Sequence, residues 1–318
     1  MGMAARLTRR SINAFFDNYH SFTSVAALLV FPVSVSILLS QALVPYSAPV
    51  LEIISLRLSL LFQAARFPEF FTLVNVKLAQ TVFSFVTTLP LVLTFLLLAK
   101  ASIIHVVCNG VRRKVSPPPL SSSLPLYRSI LPTHLFNSFV LLSAHAAVFV
   151  ILFVVFNAAD ALGISSSTSL LCLSAAAAVL YSVVVANATV ICNLATVVAA
   201  MDNCSGFLPV LKACLLIRGR VMTALGLALP ANLGMAAVEA LFQYRVVRQY
   251  NLRGEFSSSL LWETFSIAYL HALLLVLEVI MNCMFFKSCK VDWHDRHGEP
   301  ETRGGEDYSG GLMDWEKV

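Results

Sequence analysis

Charge is the scarcest ingredient of this chain. Asp, Glu, Lys and Arg make up only 12% of its 318 residues, about half the roughly 25% of an ordinary soluble domain. The deficit is uneven: 8 of the 17 acidic residues fall in 287–318, so the body of the chain is poorer still. Such a body cannot cover a water-facing surface, which excludes a soluble globular domain. The formal charge of +5 is not a nucleic-acid footprint, because no long Lys/Arg cluster with interleaved aromatics is present. The seven cysteines contain no CxxC pair, which leaves no zinc-ribbon or dithiol signature, and their odd number argues against a disulfide framework. Cys172 and Cys192 lie in an apolar run, Cys108, Cys204, Cys283 and Cys289 at or near run ends, and Cys214 in a polar connection. They read as small buried hydrophobes, with palmitoylation of the juxtamembrane ones as the alternative. GxSxG, HExxH, GxxxxGK[ST] and GxGxxG are all missing. No catalytic, cofactor-binding or metal-binding residue is therefore expected. His294 and His297, beside Asp292 and Asp295, read as part of a solvated tail rather than as ligands.

What the chain has is apolar length. Residues 161–201 form a run of 41 without Asp, Glu, Lys, Arg or His, and a membrane-spanning helix needs about 20 predominantly apolar residues. Runs of this kind predict an all-α bundle of six spans, at 22–44, 78–106, 135–159, 168–200, 221–242 and 259–286. The fourth is longer than one crossing needs, so it tilts or continues past the bilayer. Pro32, Pro90 and Pro230 fall near the middles of spans one, two and five, where each removes an intrahelical hydrogen bond and predicts a kink. Ser143 and Ala147, like Ser174 and Ala178, put small residues four apart, a spacing that allows close helix approach. The uncharged run 161–201 itself is expected to be chemically inert.

The ends and connections follow from the same physics. Met1-Gly2 invites N-myristoylation, but Arg6 stands where Ser or Thr is required. The first apolar run is too long for a signal peptide and has no small-residue cleavage site, so it is expected to remain as a span. With the amino terminus inside, inside segments carry 16 basic residues and outside segments 6; the positive-inside rule puts both termini in the cytosol. The basic loop 245–253 falls outside in this scheme. An early, long first span favours the secretory pathway or plasma membrane over plastid or mitochondrion. In 51–66, Glu52, Ser55, Ser59, Gln63 and Arg66 make a polar stripe on an apolar helix, expected to lie flat at the outer interface, with Arg57 off the stripe. Segment 116–123 is a stiff, then flexible linker. From about Asp292 the acidic tail is expected to be disordered. The sequons at Asn187 and Asn203 fall in a span and on the cytosolic side, so neither should carry glycan.

Two places carry candidate chemistry. On span five, Asn232 and Glu239 share a face; on span six, His271, Glu278 and Asn282 share another, with Glu263 toward its edge. Ionisable groups in hydrocarbon are unfavourable by about 2.5–3.5 kcal/mol on insertion scales and usually face the bundle interior. These residues read as a polar seam between spans five and six. It is either an interhelical clamp, with Glu239 or Glu263 neutralised by Arg245 or Arg248, or a path for a proton, cation or small polar solute. His105 and His145 read as packed, hydrogen-bonded residues. The second place is the link 202–220, where Phe207, Leu208, Leu211, Leu215 and Leu216 are apolar and Lys212, Arg218 and Arg220 are basic. It predicts a short amphipathic helix on the anionic inner surface, with the three basic residues meeting anionic lipid headgroups.

The link has a recognisable pattern: acidic Asp202 closing a helix, Gly206, a short helix with Lys212, then Arg218-Gly-Arg220 before the next span. It resembles a plant family of uncharacterised membrane proteins with about six spans, and is similar to a link in the membrane domain of some bacterial glycerophosphodiesterases. The likeness is specific over 199–225 and loose over 10–287. Asp202 stands where Glu is more usual and Ala213 where Ser is common, and no catalytic residue is carried over. The resemblance implies a polytopic architecture without assigned chemistry. Function is accordingly read as non-enzymatic: a membrane organiser or interaction protein, touching the bilayer, anionic headgroups and protein partners of the tail. The alternative is a small-solute or proton-coupled transporter using the seam, with a membrane-embedded lipid enzyme as the third reading.

Overall fold

The computed structural model describes residues 2–43, 48–64, 79, 83–109, 120–162, 167–253 and 258–297. Six helices within them are long and apolar enough to cross a membrane: Tyr19–Ser40, Phe83–Cys108, Leu124–Ala159, Leu171–Met201, Val221–Tyr250 and Ser258–Lys290. There is no strand among the described residues. The outcome is dictated by solvent, since hydrocarbon offers backbone groups no partner and a helix pairs them within the segment. The protein is an integral, multi-pass membrane protein, all-α as expected. An even number of crossings returns the chain to its starting side, here called the terminal face.

Spans two, four and six are the most buried and span three the least. Between lipid-like surfaces, helix association depends on close packing and interhelical hydrogen bonds rather than on the hydrophobic effect. Small buried residues at the centre, Ala99, Ala101, Ala195, Ala199 and Ala272, allow that approach. Span three instead turns Leu135, Phe139, Leu142, Val150 and Val154 outward. Its chief partner is span four, with His145 Nδ1 of span three 3.0 Å from the Tyr181 hydroxyl of span four. Ser143, Ala147 and Ala178 are exposed, so this interface is not built on the expected small-residue spacing.

The prolines bend the ladder where a wider turn can absorb them. A π-helical turn, Ala26–Val30, precedes Pro32 and contains Leu28, whose carbonyl would meet the proline ring. A second π turn, Val92–Leu96, follows Pro90, and the Thr94 hydroxyl donates to the Pro90 carbonyl at 2.8 Å. Pro230 lies inside Val221–Phe242 without ending it.

Three boundaries differ from the sequence reading. The third helix begins at Leu120 and passes through Pro125 and Pro132, so the second half of the expected linker 116–123 is helical. Tertiary contacts outweigh the local signals: the Tyr127 hydroxyl donates to the Leu93 carbonyl at 3.1 Å, and Ser129 Oγ lies 3.0 and 2.8 Å from the carbonyls of Ala199 and Cys204. The last helix runs to His297, so 292–297 is helical rather than disordered, and the rest of the tail lies outside the described residues. The amino-terminal segment, to which the sequence assigned no element, forms one of its own. Gly2–Asp17 is a helix packed on spans five and six, with Leu7 and Ser11 buried and Arg6, Arg9 and Arg10 exposed. Gly226 of span five faces this helix: a Cβ there would stand in ordinary contact, 3.7 Å from Ala4 Cβ, and leave no space for a longer side chain. The helix expected around the polar stripe is present as Ala48–Ala64; Arg66 lies outside the described residues.

Candidate functional site

Three helix faces converge on one polar cluster inside the bundle. Glu278 and Asn282, one turn apart, come from span six; Asn193, Thr196 and Val197 from span four; Lys100 and Ile104 from span two. The Asn193 amide donates to Glu278 Oε1 at 2.7 Å. Lys100 stands within electrostatic reach of Glu278 without a direct ion pair, and it makes no hydrogen bond to another described residue. The groups line a cavity of about 10 Å³, close to the smallest space that holds one water. A second polar layer supports it: Asn137 of span three donates to the Cys192 carbonyl at 2.8 Å and to Thr196 Oγ1 at 3.2 Å.

This corrects the expected seam. Glu278 and Asn282 face spans two and four, not span five. Lys100, inside span two as expected, joins this cluster, and the run 161–201 supplies Asn193 and Thr196 and is not inert. Asn137 and Asn193 stand outside the expected seam, yet a lone Asn in an apolar span is itself a signal, as its amide must be paired in hydrocarbon.

The other seam residues separate from this cluster. His271 is buried, with Nδ1 3.1 Å from Ser34 Oγ of span one and Nε2 3.9 Å from Glu239 Oε1 of span five. Those two sequence-predicted residues do meet, joined by a serine that was not foreseen. Asn232 is exposed on the outer surface of span five and takes no part. Glu263 lies near the start of span six, and its Oε2 is buried without a hydrogen-bond partner among the described residues. Of the two arginines expected to neutralise these acids, Arg248 instead sits over the Tyr244 ring at 5.3 Å and Arg245 is exposed.

The link from span four to span five is the second candidate. Three left-handed residues shape it: Asn203 and Gly206, with φ of 50° and 81°, turn the chain after span four, and Gly219, φ 84°, turns it again before span five. Between them Leu208–Ile217 is helical, with Pro209 in its first turn, where a missing N–H is tolerated. Pro209, Ala213 and Ile217 are buried, the helix packing chiefly on span four, whereas Phe207, Leu208, Leu211 and Leu215 are each roughly half exposed. The large apolar side chains thus point away from the protein. The basic residues divide. Lys212 Nζ pairs with Asp202 at 3.3 Å, and Lys290 of span six reaches the same carboxylate at 3.9 Å. Arg220 Nη1 donates to Cys289 Sγ at 3.8 Å. Lys212 and Arg220 are therefore tied to the bundle rather than offered to lipid, while the Arg218 guanidinium is exposed and has no partner among the described residues. Partial desolvation raises the thiols of half-buried Cys204 and of the more exposed Cys214; at Cys204 the Lys212 ammonium partly offsets the shift. Beside Arg218 lies a cavity of about 200 Å³, lined by Asn187, Val190 and Ile191 of span four, Cys214 and Ile217 of the link helix, and Val221, Ala224 and Leu225 of span five.

Over residues 2–298 the chain matches the family described as Domain of unknown function (DUF8558), and it belongs to that family. No curated protein matches the chain, and no solved structure does.

Proposed function

We propose that this family member is a non-enzymatic membrane organiser whose working surface is the terminal face, with the link helix Leu208–Ile217 seated in the headgroup layer. The observation that carries this reading is the outward ridge of Phe207, Leu208, Leu211 and Leu215 beside the exposed Arg218. A helix with large apolar side chains on one side and a cation at its end partitions into an anionic interface. The excess of basic residues on the terminal face supports a cytosolic placement of both termini, and the early first span supports the secretory pathway. The link is also the segment that resembles the plant six-span family and the bacterial glycerophosphodiesterase membrane domains. Protein partners would engage the acidic tail.

The test is lateral sorting. Full-length protein in vesicles of phosphatidylcholine with a minor fraction of labelled phosphatidylserine is expected to concentrate the anionic lipid around itself, read as energy transfer from a donor on the protein. Arg218→Gln with Leu211→Ser should abolish the enrichment. Equal transfer for the wild type and this variant contradicts the reading.

One observation favours a second reading, a proton- or small-solute-coupled transporter: Lys100 and Glu278 share a cavity inside the bundle. The pathway would run between spans two, four and six. Flux in reconstituted vesicles that is unchanged by Glu278→Gln rules it out.

A further inference from the structure

We infer that the cavity between span four, the link helix and span five is a binding site for one anionic phospholipid, its phosphate on Arg218 and an acyl chain against the apolar wall. This rests on the interfacial seating of the link helix and adds a discrete site to it. The occupant follows from the chemistry of the walls. Val190, Ile191, Ile217, Val221, Ala224 and Leu225 offer an almost wholly apolar lining of about 200 Å³, space for part of an acyl chain. At its edge stands a single cation. Arg218 closes the link helix, and its guanidinium has no partner among the described residues. Its two basic neighbours are held elsewhere, Lys212 on Asp202 and Arg220 on Cys289, so they do not compete for the same headgroup. An apolar recess in contact with lipid and a planar guanidinium at its rim together match a phosphodiester with an attached chain. A free phosphate satisfies only the guanidinium, and an uncharged lipid only the recess.

The lining also explains why the site falls here. Val221 begins span five two residues after the left-handed Gly219, and the recess lies between the two helices joined by this turn. Val221 is itself exposed at the mouth, and a larger side chain there would fill the space without entering the core.

The experiment is native mass spectrometry of the full chain released from nanodiscs of equal phosphatidylglycerol and phosphatidylcholine. The wild type is expected to keep one phosphatidylglycerol in preference to phosphatidylcholine. Arg218→Gln should lower that preference about fivefold, the effect of one interfacial cation, and Val221→Trp should remove the bound lipid of either kind. Added inorganic phosphate should not displace it. Equal retention of the two lipids by the wild type, or retention unchanged in both variants, overturns the site. A nitroxide at position 211 of the same protein separates the two claims. If the link helix is immersed but no lipid is retained, only the discrete site fails; if the helix is not immersed, the reading beneath it fails as well.

Discussion

Replacing Asn193 by Leu is the sharpest probe of the buried cluster. The substitution keeps a similar volume and removes the donor that lies 2.7 Å from Glu278 Oε1. Interhelical hydrogen bonds in membranes are worth about 0.6 kcal/mol on average and about 1.7 at most. This one lies at the strong end for two reasons. Its length is that of a charge-assisted bond, and the adjoining cavity of about 10 Å³ admits no more than one water to replace the amide. Leaving Glu278 Oε1 unpaired should therefore destabilise the fold by about 2 kcal/mol. The assay is reversible unfolding in mixed micelles with increasing dodecyl sulfate, run as a cycle with Glu278→Leu. Both single variants should be destabilised, and the double variant should be less destabilised than their sum by about 1–2 kcal/mol. A neutral Asn193→Leu, or a coupling indistinguishable from zero, refutes the claim that this bond holds spans four and six together.

Further expectations follow from the same contacts. His271→Ala removes a buried ring that bridges Ser34 and Glu239, and should lower stability in the same assay by about 2 kcal/mol, with Ser34→Ala giving about half of that. At Gly226 a Cβ alone would already touch Ala4 at 3.7 Å, so Gly226→Leu should push out the helix Gly2–Asp17, detected as trypsin cleavage after Arg9 or Arg10 that the wild type resists. Cys214 is exposed, but partial desolvation by its neighbours raises its thiol, so less thiolate is present at neutral pH. Maleimide labelling at Cys214 should be slower than that of a free cysteine, and its rate should keep rising above the pH at which the free thiol's rate levels off.

Much of the architecture was legible because hydrocarbon imposes one rule on every span: about 20 apolar residues in a row must form a helix. Hydropathy carries no comparable rule for what happens at the ends. The helix at Leu120–Ser123 was hidden behind prolines and serines because it depends on Ser129 reaching Ala199 and Cys204, contacts between segments far apart in sequence. The same limit applied to the polar residues. Spacing put His271, Glu278 and Asn282 on one face of span six; the structure keeps Glu278 with Asn282 but turns His271 toward Glu239 of span five. Spacing could not say which neighbour each face would meet, so Glu278 was assigned to span five when its partner is Asn193. In the link, composition identified an amphipathic helix with three cations. Only the fold shows that Asp202 takes Lys212 and that Arg218 is left exposed. Asn232, polar but exposed, is the reverse case, a residue whose face is turned away from the bundle.

The immersion of the link helix is the claim on which the functional reading stands, and the depth of position 211 tests it most directly. A nitroxide on Leu211→Cys, with the exposed Cys108, Cys172 and Cys214 replaced by Ser, would be read by power saturation in vesicles containing phosphatidylglycerol. The prediction is a label about 5–10 Å below the phosphates, more accessible to oxygen than to a water-soluble nickel chelate. A label equally accessible to the chelate and lying in the aqueous phase would contradict it.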